Sequence, residues 1–178
     1  MTGTATSLSL RPAGPQDVPR IVEIVEAAYR GEGGWTTESS LVGGARTHAG
    51  EVQALLGDPD VDLVVAAPGE DPSAPVLGCC YTSRDGDRAE FGLFAVDPAA
   101  QSGGIGRALL EEQVRRCAER GVCVLEIHVL QSRPELHAWY ERHGFVPTGQ
   151  TIPFAGRDED LKVPGLGMDV MERDLTAS

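Results

Sequence analysis

The stretch Gln101-Ser102-Gly103-Gly104-Ile105-Gly106-Arg107 stands between two segments of different periodicity, and that position limits what the chain can fold into. Before it, Ala89-Glu90-Phe91-Gly92-Leu93-Phe94-Ala95-Val96 is rich in apolar residues and stopped by Asp97-Pro98, the pattern of a strand. After it, Leu110, Val114 and Cys117 recur at i, i+4 and i+7, one face of a helix. Three of the four residues from 103 to 106 are glycine, so backbone N–H groups lie open at the helix N-terminus, with no Cβ to keep an anion away. Strand, glycine turn and helix start together make a phosphate cradle.

Two nucleotide-binding patterns fit this stretch poorly. A P-loop needs Gly-Lys-Ser/Thr at its end, and here Gly106 is followed by Arg107-Ala108. The G-x-G-x-x-G fingerprint fits at Gly104 and Gly106 but meets Leu109 at its third glycine, and it belongs in the first strand–helix unit rather than past mid-chain. An ordinary glycine-rich connection also satisfies the spacing.

Gln101-x-x-Gly104-x-Gly106, following Val96-Asp97-Pro98, closely resembles the acetyl-CoA loop of the GNAT acetyltransferase superfamily. The resemblance runs from about residue 8 to 173 and is most specific from Glu90 to Phe145. It implies that the backbone amides of Gln101, Ser102, Gly103, Gly104, Ile105, Gly106 and Arg107 hold the pyrophosphate of coenzyme A. It also implies a bulge in the preceding strand, whose backbone at Phe94, Ala95 and Val96 pairs with the pantetheine arm. The implied fold is an α/β (mixed α+β) GNAT fold: a central, mostly antiparallel sheet splayed at a parallel pair, with helices on both faces.

At 178 residues the chain suits one domain, read as 8–178 behind a flexible tail at 1–7. No run approaches the roughly 20 apolar residues of a membrane helix, and the first seven residues have neither the basic region nor the apolar core of a signal peptide. A cytoplasmic protein is expected. The net charge of −12 argues against nucleic acid or an anionic membrane as partner, since both reward Lys and Arg. It is compatible with a cationic acceptor such as an amine. Cys79, Cys80, Cys117 and Cys123 show no C-x-x-C spacing and suit a reducing compartment. His48, His128, His137 and His143 are too scattered for a metal site, so no metal is expected. A homodimer is compatible with the chain, although nothing in it fixes the oligomeric state.

Along the chain, Leu8-Ser9-Leu10 reads as a strand ended by Arg11-Pro12. Val18, Ile21, Val22, Val25 and Tyr29 then form a helical stripe, with Asp17 as N-cap and Pro19 in the first turn. A second helical region runs to about Leu56, with Thr47 a candidate N-cap. Residues 62–67 and 76–83 read as strands, and Arg84-Asp85-Gly86-Asp87 as a hairpin turn with Asp-Gly as its signature. The strand from about Arg88 to Val96 feeds the glycine loop, and Gly121 suits the C-cap of the central helix. Residues 122–130 alternate, Leu125, Ile127 and Val129 on one face and Glu126 and His128 on the other. A helical crossover should make this strand a parallel neighbour of 88–96. Pro134 opens a further helix with the stripe Leu136, Trp139, Tyr140 and His143, closed by Gly144. Residues 145–154 and 165–173 are the last two strands.

Trp139-Tyr140-Glu141-Arg142-His143-Gly144-Phe145 resembles the helix end at which many GNAT members keep a tyrosine beside the sulfur of coenzyme A. The resemblance implies that Tyr140 protonates the departing thiolate, as a phenol can at neutral pH; a core tyrosine would fit the same stripe. An amine acceptor must shed a proton before it can attack, and Glu90 is the favoured base, with Glu126 the rival. Burial would raise either pKa toward the useful range. The family often has Asn seven residues before the tyrosine, where this chain has Arg133, which could pair with a cofactor phosphate instead. A backbone N–H freed by the bulge near Ala95 or Val96 is the expected donor to the reacting carbonyl. In the GNAT fold the early helical segment covers the acceptor end of the cleft, so Trp35, Glu38 and Arg46 are candidate acceptor contacts; a core Trp with solvated Glu and Arg is the bland alternative. The leading reading is an acetyl-CoA-dependent N-acetyltransferase that moves an acetyl group to a small-molecule amine by direct transfer in a ternary complex. A non-catalytic acyl-CoA-binding or sensing domain, or acetylation of a protein amine, are the alternatives.

Overall fold

The computed structural model describes residues 7–30, 43–154 and 158–177; Trp35 and Glu38 lie outside them. Seven strands, β1 (Leu8–Pro12), β2 (Val61–Pro68), β3 (Gly78–Asp85), β4 (Arg88–Val96), β5 (Val124–Leu130), β6 (Val146–Pro153) and β7 (Gly167–Asp174), form one sheet in the order β1-β2-β3-β4-β5-β7-β6. Neighbours are antiparallel except β4 and β5, which are parallel and joined by α3 (Ile105–Glu119), as a helical crossover requires.

Helices cover both faces. On one side α1 (Val18–Arg30) and α2 (Ala49–Gly57) bury Ile21, Ile24, Val25 and Val52 against Leu63, Val65, Cys79 and Leu93. On the other, α3 and α4 (Pro134–Arg142) bury Leu109, Leu110, Leu136 and Tyr140 against Val64, Cys80, Phe91 and Leu125. Each such apolar side chain contributes about 1.5–3 kcal/mol, against about 1 kcal/mol for a helix cap. Patterning therefore places the helices, and caps only trim their ends.

That ordering explains three corrections at element ends. Asp17 closes a 3₁₀ turn, Pro15–Asp17, that leads into α1, and its carboxylate does not cap forward. It turns back to accept Gly14 N–H at 2.8 Å and both Arg11 Nη groups, at 2.8 and 3.0 Å. The N-cap of α2 is His48, whose Nδ1 accepts Glu51 N–H at 3.2 Å, rather than Thr47. Thr47 instead donates its hydroxyl to Glu51 at 2.6 Å and its N–H to Glu26 at 2.7 Å. The hairpin pairs Asp85 with Arg88, so its two central residues are Gly86-Asp87, one later than Asp-Gly, and the glycine takes φ 63°. Glycine at the first of two central positions is the type II′ preference.

The side of the sheet away from the split is braced by a residue that periodicity alone would read as surface. Gln113 on α3 is fully buried, donates to the carbonyls of Asp62 (2.8 Å) and Cys80 (3.3 Å), and accepts the Thr82 hydroxyl at 3.2 Å. A buried amide with its partners supplied ties α3 to β2 and β3 with defined geometry.

Candidate active site

The sheet opens beside β4. Its pairing with β5 covers Arg88↔Val124, Ala89↔Leu125 and Glu90↔Glu126 and stops, although β4 continues to Val96 and β5 to Leu130. Beyond that point the facing edges, Phe91 to Phe94 and Ile127 to Leu130, line a cavity of about 430 Å³.

The second distortion lies on the other edge of β4. Cys79 pairs with Ala95 but Tyr81 with Gly92, so two residues, Leu93 and Phe94, stand opposite Cys80. This is a β-bulge, with Leu93 at φ 47°. It falls earlier than the Ala95–Val96 position expected from sequence. The bulge also inverts the alternation of β4. Ala89 and Phe91 face the α3/α4 side, and past the bulge Phe94 and Val96 do so, while Leu93 and Ala95 turn to α1 and α2. A continuous apolar run serves here because the strand changes phase within it. The Phe94 carbonyl is held by Tyr29 Oη at 2.5 Å.

The glycine loop follows at once. Asp97 caps a 3₁₀ turn, Pro98–Gly103, accepting Ala99 N–H at 3.0 Å. Arg20 on α1 secures it by donating to Asp97 at 2.7 Å and to Val76 O at 3.0 Å. Gly104 is the N-cap of α3 at φ 73°, ψ 13°, a left-handed conformation natural only to glycine. The first helical bond runs from Ala108 N–H to Gly104 O at 3.1 Å, which leaves Ile105, Gly106 and Arg107 N–H as the donors at the positive end of a 15-residue helix. A Cβ on Gly106 would stand 3.0 Å from Phe94 Cζ, so this glycine lets the helix start seat on the aromatic ring. Gln101 folds back and donates to Val96 O at 3.3 Å, and Arg107 is exposed.

Across the cavity, α4 carries Tyr140, 7% exposed, edge-on to Trp139 and Phe145. Trp139 in turn approaches Phe94, with ring centroids 5.6 Å apart. Tyr140 thus belongs to the α3/α4 side, while Tyr29 and Arg46 reach the same cavity from the other face. Arg46 stacks on the Tyr29 ring at 5.2 Å.

Glu90 and Glu126 do not line the cavity; His128 does. Glu126 is the last paired residue of β5, and its carboxylate lies 2.6 Å from His128 Nε2 and 3.0 Å from Arg88 Nη2, which also binds Glu172. Burial pushes the Glu126 pKa up, but the hydrogen bonds from His128 and Arg88 outweigh it and hold the group below the usual glutamate value. The expectation that burial would raise it toward neutral is therefore reversed. Glu90 Oε1 lies 3.5 Å from His128 Nδ1.

Arg133 stands at the N-cap of α4. It is 5% exposed, lies outside the cavity lining, and its Nε is paired with Glu135 at the start of α4. Cys79 and Cys80 are fully buried, and burial pushes the Cys79 thiol up to about 12 and the Cys80 thiol up as well, unsuited to a thiolate nucleophile. No group of three or more metal-ligating side chains is assembled among the described residues, and none of their helices is long and apolar enough to cross a membrane.

Residues 61–147 match the family model described as "Acetyltransferase (GNAT) domain". A protein of Oryza sativa subsp. japonica described as "Probable glucosamine 6-phosphate N-acetyltransferase 2" is 33% identical, over 54% of this chain and 60% of the relative's own length. Among solved structures, the Escherichia coli ribosomal-protein-S18-alanine N-acetyltransferase superposes with TM-score 0.70 at 18% identity, covering 97% of this chain and 96% of that one. A GCN5-related N-acetyltransferase from Kribbella flavida gives 0.67 at 22% identity, over 94% and 97%. These two likenesses establish the fold. The stretch that matches the GNAT acetyltransferase domain model is the one holding the bulge, the cradle and the split in the sheet, and the chain as a whole has the fold of these acetyltransferases.

Proposed function

We propose that this chain catalyses transfer of the acetyl group of acetyl-CoA to the amine of a small-molecule acceptor, directly and within a ternary complex. The observation that carries the reading is the cavity at the split, walled by the bulged strand and Tyr140, with Phe94 of its wall packed against Gly106 of the helix-start cradle.

The cradle suits a pyrophosphate. Its N–H groups converge at a helix N-terminus, and a Cβ built on Gly104 would meet nothing within 4 Å, so there is room for an anion. The diverging edges of β4 and β5 suit an extended, amide-bearing arm, because buried strand edges need hydrogen-bond partners. Acetyl-CoA supplies an acyl carbon activated as a thioester. A backbone N–H at the Leu93–Phe94 bulge is the donor to the carbonyl oxygen as it gains charge, a role that the break in strand pairing there supports. Tyr140 gives its phenolic proton to the departing sulfur. The cluster of Glu90, Glu126 and His128 removes the ammonium proton that would otherwise block attack. Arg46, on the cavity wall, is a contact for the acceptor.

Two measurements test this. Acetyl-CoA should raise the melting temperature, since a ligand that binds only the native state stabilises it by RT ln(1 + [L]/Kd). Free thiol should then appear only when an amine is added. A panel of primary amines should include glucosamine 6-phosphate, the acceptor named for the rice relative. A thermal shift with no amine-dependent thiol release would make the chain an acyl-CoA-binding domain instead.

A further inference from the structure

We propose that His128 is the residue that accepts the proton from the acceptor amine, with Glu126 its positioning residue; this rests on the acetyltransferase reading. His128 lines the cavity while both glutamates stand behind it. Alternation along β5 sends Leu125, Ile127 and Val129 into the α3/α4 core, so Glu126 and His128 share the opposite face. Glu90 joins them there, because Ala89 and Phe91 on either side of it face the same α3/α4 core. Tyr140 reaches the cavity from the α3/α4 side. Proton acceptor and proton donor thus sit on opposite faces of the split, as they must if the amine enters from one side of the thioester and the thiolate departs to the other.

The hydrogen bonds assign the tautomer. Glu126 is an ionised carboxylate tied to Arg88, so it can only accept, and His128 Nε2 at 2.6 Å must carry the hydrogen. In the neutral ring, Nδ1 then holds the lone pair. Glu90 Oε1, the nearest charged group to it, is 3.5 Å away, which leaves the lone pair uncommitted. The other charged groups around the cavity are Arg30, Arg46, Glu51 and Asp160, on the α1/α2 side and the loop before β7. The nitrogen of an ammonium acceptor sheds two protons on becoming an amide. One goes to Nδ1, giving an imidazolium, and leaves through Glu90, whose side chain is 46% exposed. The other balances the proton that Tyr140 delivers to sulfur. The C–N bond forms as the C–S bond breaks, and no oxidant or reductant is needed.

The test uses the full chain with acetyl-CoA and the amine panel that contains glucosamine 6-phosphate, reading thiol release across pH. His128→Gln, and His128→Asn as a second variant, should lower kcat/KM for the amine about 10²–10⁴-fold near pH 7 while the acetyl-CoA thermal shift stays. The deficit should shrink as pH rises and free amine accumulates. Imidazole added to His128→Ala should restore part of the rate. Glu126→Gln should cost less and displace the pH profile, since it frees the ring to adopt the other tautomer. A folded His128→Gln with wild-type rates, or with a deficit independent of pH, overturns the inference and leaves the acetyltransferase reading intact. Absence of wild-type turnover with every amine overturns both.

Discussion

Strand β4 has two neighbours and treats them differently. Toward β3 its pairing runs the length of the strand, from Asp85↔Arg88 to Gly78↔Val96, and absorbs one bulge on the way. Toward β5 it lasts for three pairs. Behind the β3 edge lie Gln113 with its three hydrogen bonds and a continuous core, so this side is locked. Behind the β5 edge lie the cavity, Tyr140 and the His128 cluster. A sheet can leave backbone edges apart only where neighbouring elements hold both banks. Here α3 ties the locked side together, and β7, paired with β5 from Val124 to Leu130, holds the other bank. Rigidity on one side is what lets the opening on the other keep its shape.

Substitutions on the two sides should therefore separate activity from stability. Tyr140→Phe keeps the ring contacts with Trp139 and Phe145 and removes only the hydroxyl, so kcat should fall about 10²–10⁴-fold in a protein that still folds. Normal turnover would make Tyr140 a packing residue. On the locked side, Gln113→Ala leaves a buried cavity and strands Thr82 Oγ1 and two carbonyls without their partner. It should cost about 2–4 kcal/mol in denaturant unfolding with little change in KM for the amine, and an equally large change in KM would show that the two sides are not independent.

The cradle can be tested with an internal control. Gly104 and Gly121 flank α3, have φ 73° and 78°, and would each put a Cβ into open space. Valine at either position should impose a similar left-handed strain of about 1–3 kcal/mol. Only Gly104→Val should also lose the acetyl-CoA thermal shift, and equal shifts in both variants would remove the phosphate from the cradle.

The smallest expected effect is far from the cavity. Hydrogen bonding to Arg11, helped by Gly14 N–H, outweighs burial and holds the Asp17 pKa below its ordinary value. A depressed carboxylate pKa stabilises the fold above the unfolded value, about 3.9, and that stabilisation is lost as pH falls through the folded value. Asp17→Asn should lower stability by about 1.5–3 kcal/mol at pH 7 and by progressively less as pH drops below 4, with catalysis unaffected. A pH-independent loss would mean that the ion pair is not what anchors α1.

Much of this molecule is legible along the chain because it depends on neighbours in sequence. The cradle needs three glycines between a strand and a helix, the alternation of β5 needs only its own side chains, and Pro134 and Gly144 bracket α4 by their own backbone preferences. The N-cap of α2 came out one residue away, at His48 rather than Thr47, because cap energies near 1 kcal/mol yield to tertiary partners such as Glu26. The phase of the bulge was hidden because Leu93-Phe94-Ala95-Val96 is apolar in either register, and only packing against both helical layers selects one. Which polar group meets the cavity was likewise decided in three dimensions. Glu90, Glu126 and His128 are indistinguishable as strand residues, but the parallel register ends at Glu90↔Glu126, and the divergence beyond it turns His128 alone of the three toward the opening. Arg133 shows the same limit, since a partner two residues away, Glu135, holds its guanidinium once α4 forms. Local pattern determined the elements and the glycine loop; the place where two strands part, which no local interaction encodes, decided which side chains meet at the cavity.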